Sequence, residues 1–503
     1  MATRTISNAG GNWNAVGAWV EGVVPVLGDA VVATGTSGQL TVNVASACTS
    51  MILTGYTNTL TMTSTLAVSG AVTLASGMTI AGAGVMTVLV GATLTANGKT
   101  WSGGITFSGT SQTYTLADAW IVNGTVTSNG VTLLTINGSS ITCTTSLSTG
   151  GSVVCTGTTN FIMSGTGTWS GNGTLRNNLT FNTAGIITIS GAVAFNTGTI
   201  TYTAGTITTT GSTLTIAVST TFNTSGMIWN AIILSVVVTI TNNSALIMAG
   251  LLTVSGSGTN VINGSDWEIR GGYTASSGRN MTGTAKLVFG GSGTQNISHG
   301  NTASFTNNVD FNTSGTITFS NNTFYYGGGG TLTYIAGTIT TAGLTLGILT
   351  SCTLNTNGIT WNIINIAVST VTLNSLLTAT GTVTITGDVT FNGTSSFTFG
   401  SFICATVGKI ITLKSTFTYT ITASIVITGT LVSRIAFVSS IGGSKAILTL
   451  QNGATQDLDY CNATDIDSSL GATMWSYKGT ITTCSNWNLM PSQPAPVSYA
   501  YMN

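Results

Sequence analysis

The chain has 503 residues, of which 42% are hydrophobic and only 4% charged, with 11 basic residues against 11 acidic ones and a single histidine. A formal net charge of zero and a mean hydropathy of +0.43 leave little colloidal repulsion, which argues against a free, concentrated, monomeric enzyme and for an assembled structural protein. The basic residues do not cluster, which argues against a nucleic-acid partner; no apolar run approaches the roughly eighteen residues of a membrane-spanning helix, the richest being Ala231 to Ile240, so membrane insertion is not expected.

Thr, Val and Ile favour strands, while 65 glycines and only four prolines punctuate them. Much of the hydrophobic content alternates with polar residues, enough to build a core, so disorder is not expected away from the ends. An outer-membrane barrel also has alternating strands, but it needs lipid-facing apolar bands and aromatic girdles, not this density of glycine and threonine. The predicted fold class is all-β: an elongated parallel β-solenoid (β-helix) with N- and C-terminal caps.

Residues 1–38 form an atypical start. The opening Met1-Ala-Thr-Arg-Thr-Ile-Ser-Asn8 has no basic segment followed by an apolar one, so it does not read as a secretory signal. That favours a phage structural protein, assembled in the cytoplasm and released by lysis, over an exported adhesin. The stretch Gly11-Asn-Trp13-Asn-Ala-Val-Gly-Ala-Trp19-Val-Glu-Gly-Val-Val-Pro25-Val-Leu-Gly-Asp29-Ala-Val-Val32 resembles the N-W, W, G, V-P, G-D, V-V opening of β-helical phage virion-associated and surface proteins. The resemblance spans this one stretch and implies a solenoid that begins with a capping turn. Trp13 and Trp19 would then cover the open end of an apolar core, as terminal repeats require. Sugar binding is the other reading of the pair.

Residues 39–450 are expected to be the solenoid body. Leu40-Thr-Val-Asn-Val44, Thr59-Leu-Thr-Met-Thr63, Ala71-Val-Thr-Leu74, Met78-Thr-Ile80 and Ala92-Thr-Leu-Thr95 each carry one apolar face and are too short for a long-stranded meander. Stacked parallel coils suit them. Further on the chain repeats itself. Asn177-Asn-Leu-Thr-Phe-Asn-Thr-Ala-Gly185 returns as Asn307-Asn-Val-Asp-Phe-Asn-Thr-Ser-Gly315, an offset of 130 residues. Gly198-Thr-Ile-Thr-Tyr-Thr-Ala-Gly-Thr-Ile-Thr-Thr-Thr-Gly211 returns as Gly330-Thr-Leu-Thr-Tyr-Ile-Ala-Gly-Thr-Ile-Thr-Thr-Ala-Gly343, now offset by 132. Phe222 to Trp229 is matched by Leu354 to Trp361 and, earlier, by Leu94 to Trp101. A second element opens on Phe107, Phe161 and Phe289.

Long-period self-similarity built from short strands is the mark of a repeat array in which each unit buries its apolar face only against its neighbours. Within Thr199-Ile-Thr-Tyr-Thr203 the period is two, which places Ile200 and Tyr202 on one face. The predicted inward stack is Ile207, Leu214, Ile216, Phe222 and Trp229, with counterparts Ile339, Leu346, Ile348, Leu354 and Trp361, because all five pairs stay apolar. With roughly 20 to 25 residues per coil and about 4.8 Å between coils, the body would hold about 16 to 20 coils over about 80 to 100 Å. Thr199 with Thr201 and Thr206 with Thr208 suggest a flat threonine array of the ice-binding kind, but the pairs are not regular along the chain.

The charged residues are few enough to take singly. In Asp266-Trp-Glu-Ile-Arg270 the three charges share one strand face, which predicts an exposed ion-pair cluster rather than an active site. His299 stands alone, so no triad or histidine-rich metal cluster forms around it. Gly327 to Gly330 lacks the Lys-Ser/Thr of a phosphate loop.

Residues 451–489 change character. Asp457-Leu-Asp459-Tyr-Cys-Asn-Ala-Thr-Asp465-Ile-Asp467-Ser-Ser469, then Gly471-Ala-Thr-Met-Trp475 and Ser485-Asn-Trp487-Asn, resemble the closing segment of some phage virion-associated β-helical proteins. The resemblance implies a C-terminal cap, and residues 490–503 read as a tail. Asp457 and Asp459 share a face, as do Asp465 and Asp467, so the four carboxylates are candidate calcium ligands or, as the best enzymatic alternative, a carbohydrate-cleaving patch. Seven scattered cysteines show no zinc spacing and read mostly as small buried apolar residues; Cys461 and Cys484 are the candidate pair.

The sequence reads best as a non-enzymatic structural virion protein, a phage fibre or surface appendage acting as a rigid rod, located on the virion. The alternative is a secreted adhesin or extracellular filament subunit, on the cell surface or outside the cell. No cofactor is expected. The expected partners are copies of itself, other virion structural proteins or cell-surface glycans.

Overall fold

A computed structural model describes residues 1–491, apart from 131, 301, 357 and 368; of Ser369 it describes only the backbone. The expected tail from 492 onward lies outside the described residues. The chain divides into two compact units, Met1–Thr253 with Ile262–Asp266, and Val254–Val261 with Trp267–Asn503. Each is a stack of parallel β-coils.

In the first unit one ladder runs without a break through Thr3–Thr5, Ala30–Val32, Ser50–Ile52, Val72–Thr73, Thr93–Thr95, Gln112–Leu116, Leu133–Gly138 and Val154–Thr156. It continues through Thr174–Leu175, Ala192–Phe195, Thr213–Ile216 and Ala231–Leu234, every pairing parallel. A second ladder climbs from Ser46–Cys48 to Gly167–Gly171, and a third from Thr100–Trp101 to Asn160–Met163. The two meet in the 12-residue strand Asn178–Ile189, whose first half pairs with Asn160–Met163 and whose second half pairs with Gly167–Gly171. A coil therefore advances by the step from Thr113 to its partner Thr135, or from Leu214 to Ile232.

The second unit follows the same plan. One ladder passes from Trp267–Ile269 through Leu287–Gly291, Val309–Phe319, Thr331–Ile339 and Cys352–Asn355 to Cys461–Thr464 and Ile481–Thr482. Residues 451–489 stay within parallel ladders as far as Trp487–Met490, which lies on Met474–Tyr477. Among the described residues, the only turn of helix is the 3-10 turn Val16–Ala18, and antiparallel contact is confined to the isolated bridges Ile6 to Trp19 and Ile441 to Ser444.

The alternation of side chains explains why these short segments fold as they do. In Leu40–Val42, Met86–Val88 and Leu246–Met248 the apolar residue of every other position is buried and its neighbour is not. Parallel stacking places the buried residues of one coil on those of the next, so Leu66, Met86, Ile105, Val126, Leu147 and Trp169 form a single inward column. No single coil has a core of its own, and the apolar face is shielded only by neighbours.

The repeated blocks share structure as well as sequence. The pairing of Asn178–Ile189 with Thr199–Thr208 carries irregularities at Phe181/Asn182 and Asn182/Ile186; that of Val309–Phe319 with Thr331–Ile339 carries them at Phe311/Asn312 and Asn312/Thr316. Leu214, Ile216, Phe222 and Trp229 are buried, as are Leu346, Ile348, Leu354 and Trp361. Ile207 and Ile339 are only half-buried, contrary to the expected stack. The cause is coverage. The next coil pairs only with Thr199 to Thr201 in one copy and with Thr331 to Thr333 in the other, then turns away, leaving the far half of each long strand open on that side. Tyr202 is likewise half-exposed beside the bulge, with its hydroxyl donating to the Gly205 carbonyl at 2.8 Å; Tyr334 does the same to Gly337 at 2.8 Å.

Two buried asparagines anchor the blocks. Asn177 Nδ2 donates to the carbonyls of Ile136 and Thr159 at 3.1 and 3.2 Å, and Asn307 Nδ2 to those of Gly283 and Ala285 at 3.3 and 2.8 Å. Each amide ties its own coil to backbone carbonyls of preceding coils, which satisfies its buried N–H groups.

Candidate functional site

The four aspartates singled out from the sequence lie on two strands, Thr455–Asp459 and Ile466–Asp467, and at Asp465 on the bend just before the second. Asp457 and Asp459 stand on Thr455–Asp459, paired against Val426 and Thr428. The chain then reverses at Tyr460, in the left-handed region at φ 49°, and Asp465 sits at a second such reversal, φ 55°. These turns carry the two pairs to different sides of the coil. Among the described residues no three His, Cys, Asp or Glu side chains converge as a metal-holding group, so the expected four-carboxylate calcium site of Asp457, Asp459, Asp465 and Asp467 does not assemble.

Each carboxylate has an environment that accounts for it. Asp465 accepts from the Gly443 N–H at 2.8 Å and from the Thr483 hydroxyl, and these donors hold its carboxyl below the ordinary carboxylate range. Asp467 accepts from the Ser469 N–H at 2.9 Å and is lowered by Ser469 in the same way. Both are turn-closing carboxylates. Asp459 shifts upward, first through burial and then through its like-charged neighbour Asp457, with Lys478 opposing.

Glu268 and Arg270 pair as expected, Nε to Oε1 at 2.7 Å and Nη2 to Oε2 at 3.0 Å, while Trp267 and Ile269 are buried on the opposite face. The fork geometry and partial exposure make this a surface ion pair. Trp13 and Trp19 are buried at the first coils, with ring centroids 5.1 Å apart and edge to face; Trp19 Nε1 donates to the Trp13 carbonyl at 2.8 Å. Thr168, Thr188 and Thr208 stand in register on three successive coils, a short column without the two-wide regularity of an ice-binding face.

All seven cysteines are free, so Cys461 and Cys484 do not pair. Cys461 points inward and is fully covered, whereas Cys484 is half-exposed and its thiol donates to the Thr482 carbonyl at 3.3 Å. Burial raises the thiols of Cys48, Cys155 and Cys352 to about 12; it raises that of Cys484 too, but this thiol, unlike those, reaches the surface. Under native conditions a thiol reagent is expected to titrate Cys484 alone, and all seven only in denaturant; rapid labelling of two or more native thiols would contradict the inward column.

His299 is buried against Phe305, Phe324 and Tyr273, at centroid distances of 4.9, 6.0 and 6.0 Å. Burial lowers its pKa to about 4. Since the folded value lies below the unfolded one of about 6.5, this histidine stabilises the fold above pH 6.5 and loses that contribution as pH falls toward 4, about 3 kcal/mol in all. The midpoint of thermal unfolding should fall over this window and fall less in His299→Phe; an identical slope in the variant would remove the assignment.

The surface also carries a hollow of about 460 Å³ lined by Gly151, Ser152, Val153, Asn172, Gly173 and Thr174, with no charged group in its wall. Exposed large apolar side chains gather in Val16, Val20, Val23, Val26 and Leu27, and again in Leu431 and Val432. No helix among the described residues is long and apolar enough to cross a membrane. Comparison with protein-family models, with curated proteins and with solved structures finds no match to this chain.

Proposed function

We propose that this chain is a structural protein of a phage particle, a fibre or surface appendage in which stacked coils act as stiff spacers, and that it carries no catalytic activity. The observation that carries the reading is the parallel ladder of each unit, unbroken from coil to coil around an interior of buried apolar side chains. Successive coils are hydrogen-bonded to one another through these ladders, so bending must break many bonds at once. The fold fits a rigid structural or adhesin role, and the resemblance of the closing segment to phage virion-associated proteins favours the virion over the cell surface. The exposed apolar residues from Val16 to Leu27 offer contact area to other virion proteins or to copies of the chain.

Gold-labelled antibodies against the purified chain test this reading on particles released by lysis. Label on the particles, at a fibre or surface projection, is the expected result. Label confined to the surface of intact uninfected cells would overturn it in favour of the adhesin.

A further inference from the structure

The interior of the second unit contains one residue that an apolar core does not accommodate by itself. Arg279, at the start of Arg279–Thr282, is 1% exposed. Its Nε donates to the Ser255 carbonyl at 2.8 Å and Nη2 reaches the same oxygen, but Nη1 is buried without a hydrogen-bond partner. Among the described residues no carboxylate acts on it, and the titratable group that does is Tyr273, itself fully buried with its hydroxyl unpartnered.

The register explains how these groups meet. Ser276 N–H bonds the Val254 carbonyl and Gly300 N–H bonds the Ala275 carbonyl, so three successive corners stack here. Tyr273 and Ala275 face inward just before the middle corner, and Arg279 just after it. In the next coil His299 lies over Ala275, and its ring, 6.0 Å from that of Tyr273, also has no partner at either nitrogen. The inward neighbour of Arg279 in that coil is Ala303, which takes up little room. A buried guanidinium without a counter-charge, beside an O–H with no acceptor, is costly. A cluster of donors that lacks an acceptor calls for an anion.

We propose that this corner holds a small inorganic anion of halide size, accepting from Arg279 Nη1 and the Tyr273 hydroxyl. The anion neutralises the guanidinium and becomes part of the folded coil, in the way a structural ion does. A ligand bound only by the folded state stabilises in proportion to the logarithm of its concentration.

The test is thermal unfolding of the full chain at pH 8, where His299 is neutral, in chloride or in gluconate at equal ionic strength. The transition of the second unit should rise by about 3 to 5 °C for each tenfold increase in chloride above saturation, and should not respond to gluconate. Arg279→Leu should abolish the chloride dependence whatever its own stability. Crystals of the unaltered protein soaked in bromide should show an anomalous peak between Arg279 and Tyr273, which keeps the proposal open to test even if the variant fails to fold. Equal melting in both salts, or a corner without bromide, would overturn it and leave water as the occupant.

Discussion

Trp229→Ala is expected to destabilise the first unit, and Trp361→Ala the second, each by about 3 to 5 kcal/mol. Both indoles are fully buried, and the ring of Phe222 packs edge to face on Trp229 at 6.2 Å. Each closes the inward side of its coil one turn after Phe222 or Leu354, so truncation leaves a hole that neighbouring coils, fixed by their ladders, collapse into only in part. Denaturant unfolding of each variant measures the loss. A cost below about 1 kcal/mol in either would mean that the indole is not in a packed interior.

The second large effect concerns Gly205 and Gly337, which hold the same place in the two copies of the repeat. Their φ values are +114° and +111°, and a Cβ would lie 2.3 or 2.4 Å from Cγ2 of Thr183 or Thr313 and 2.8 or 2.7 Å from the same threonine's carbonyl oxygen. The threonine is not free to move. Thr183 Oγ1 donates to the Gly165 carbonyl at 3.0 Å and accepts from Gly185 N–H at 2.8 Å; Thr313 does the same with Gly291 at 2.8 Å and Gly315 at 2.9 Å. Gly205→Val and Gly337→Val should therefore each cost about 3 to 5 kcal/mol, combining backbone strain with overpacking. Gly343→Asn is the contrast. Its φ is +72°, which asparagine tolerates, and nothing lies within 4 Å, so it should cost less than about 1 kcal/mol. Equal losses at Gly337 and Gly343 would contradict the close approach of coils at the bulge.

The parallel coil could be read from the sequence because its cause is local: short alternating strands whose apolar positions recur in the next copy, as at Leu214 with Leu346 and Trp229 with Trp361. Ile207 and Ile339 misled for a reason that periodicity does not carry, since their exposure depends on where the following coil stops pairing. Asn177 and Asn307 were in view only as repeated letters; retention of the same polar residue in both copies was the available signal of a buried anchor. The aspartates failed as a group because sharing a strand face does not survive the reversals at Tyr460 and Asp465. Arg279 carried no sequence signal, for a lone arginine beside a glycine looks the same on a surface as in a core.

The outer surface, by contrast, is almost without charge, and its column of threonines follows from alternation alone. Attachment would then rest on exposed apolar residues such as Val20, Val26, Leu431 and Val432, at 64%, 61%, 67% and 91% exposure, more than on any titrating site.

A density map of the purified protein that resolves individual strands is the most direct check on coil stacking. Parallel stacking predicts, within each unit, layers about 4.8 Å apart in which Thr87, Thr106 and Thr127 lie one above the next with all strands running the same way. Neighbouring strands running in opposite directions, joined by hairpins, would contradict it.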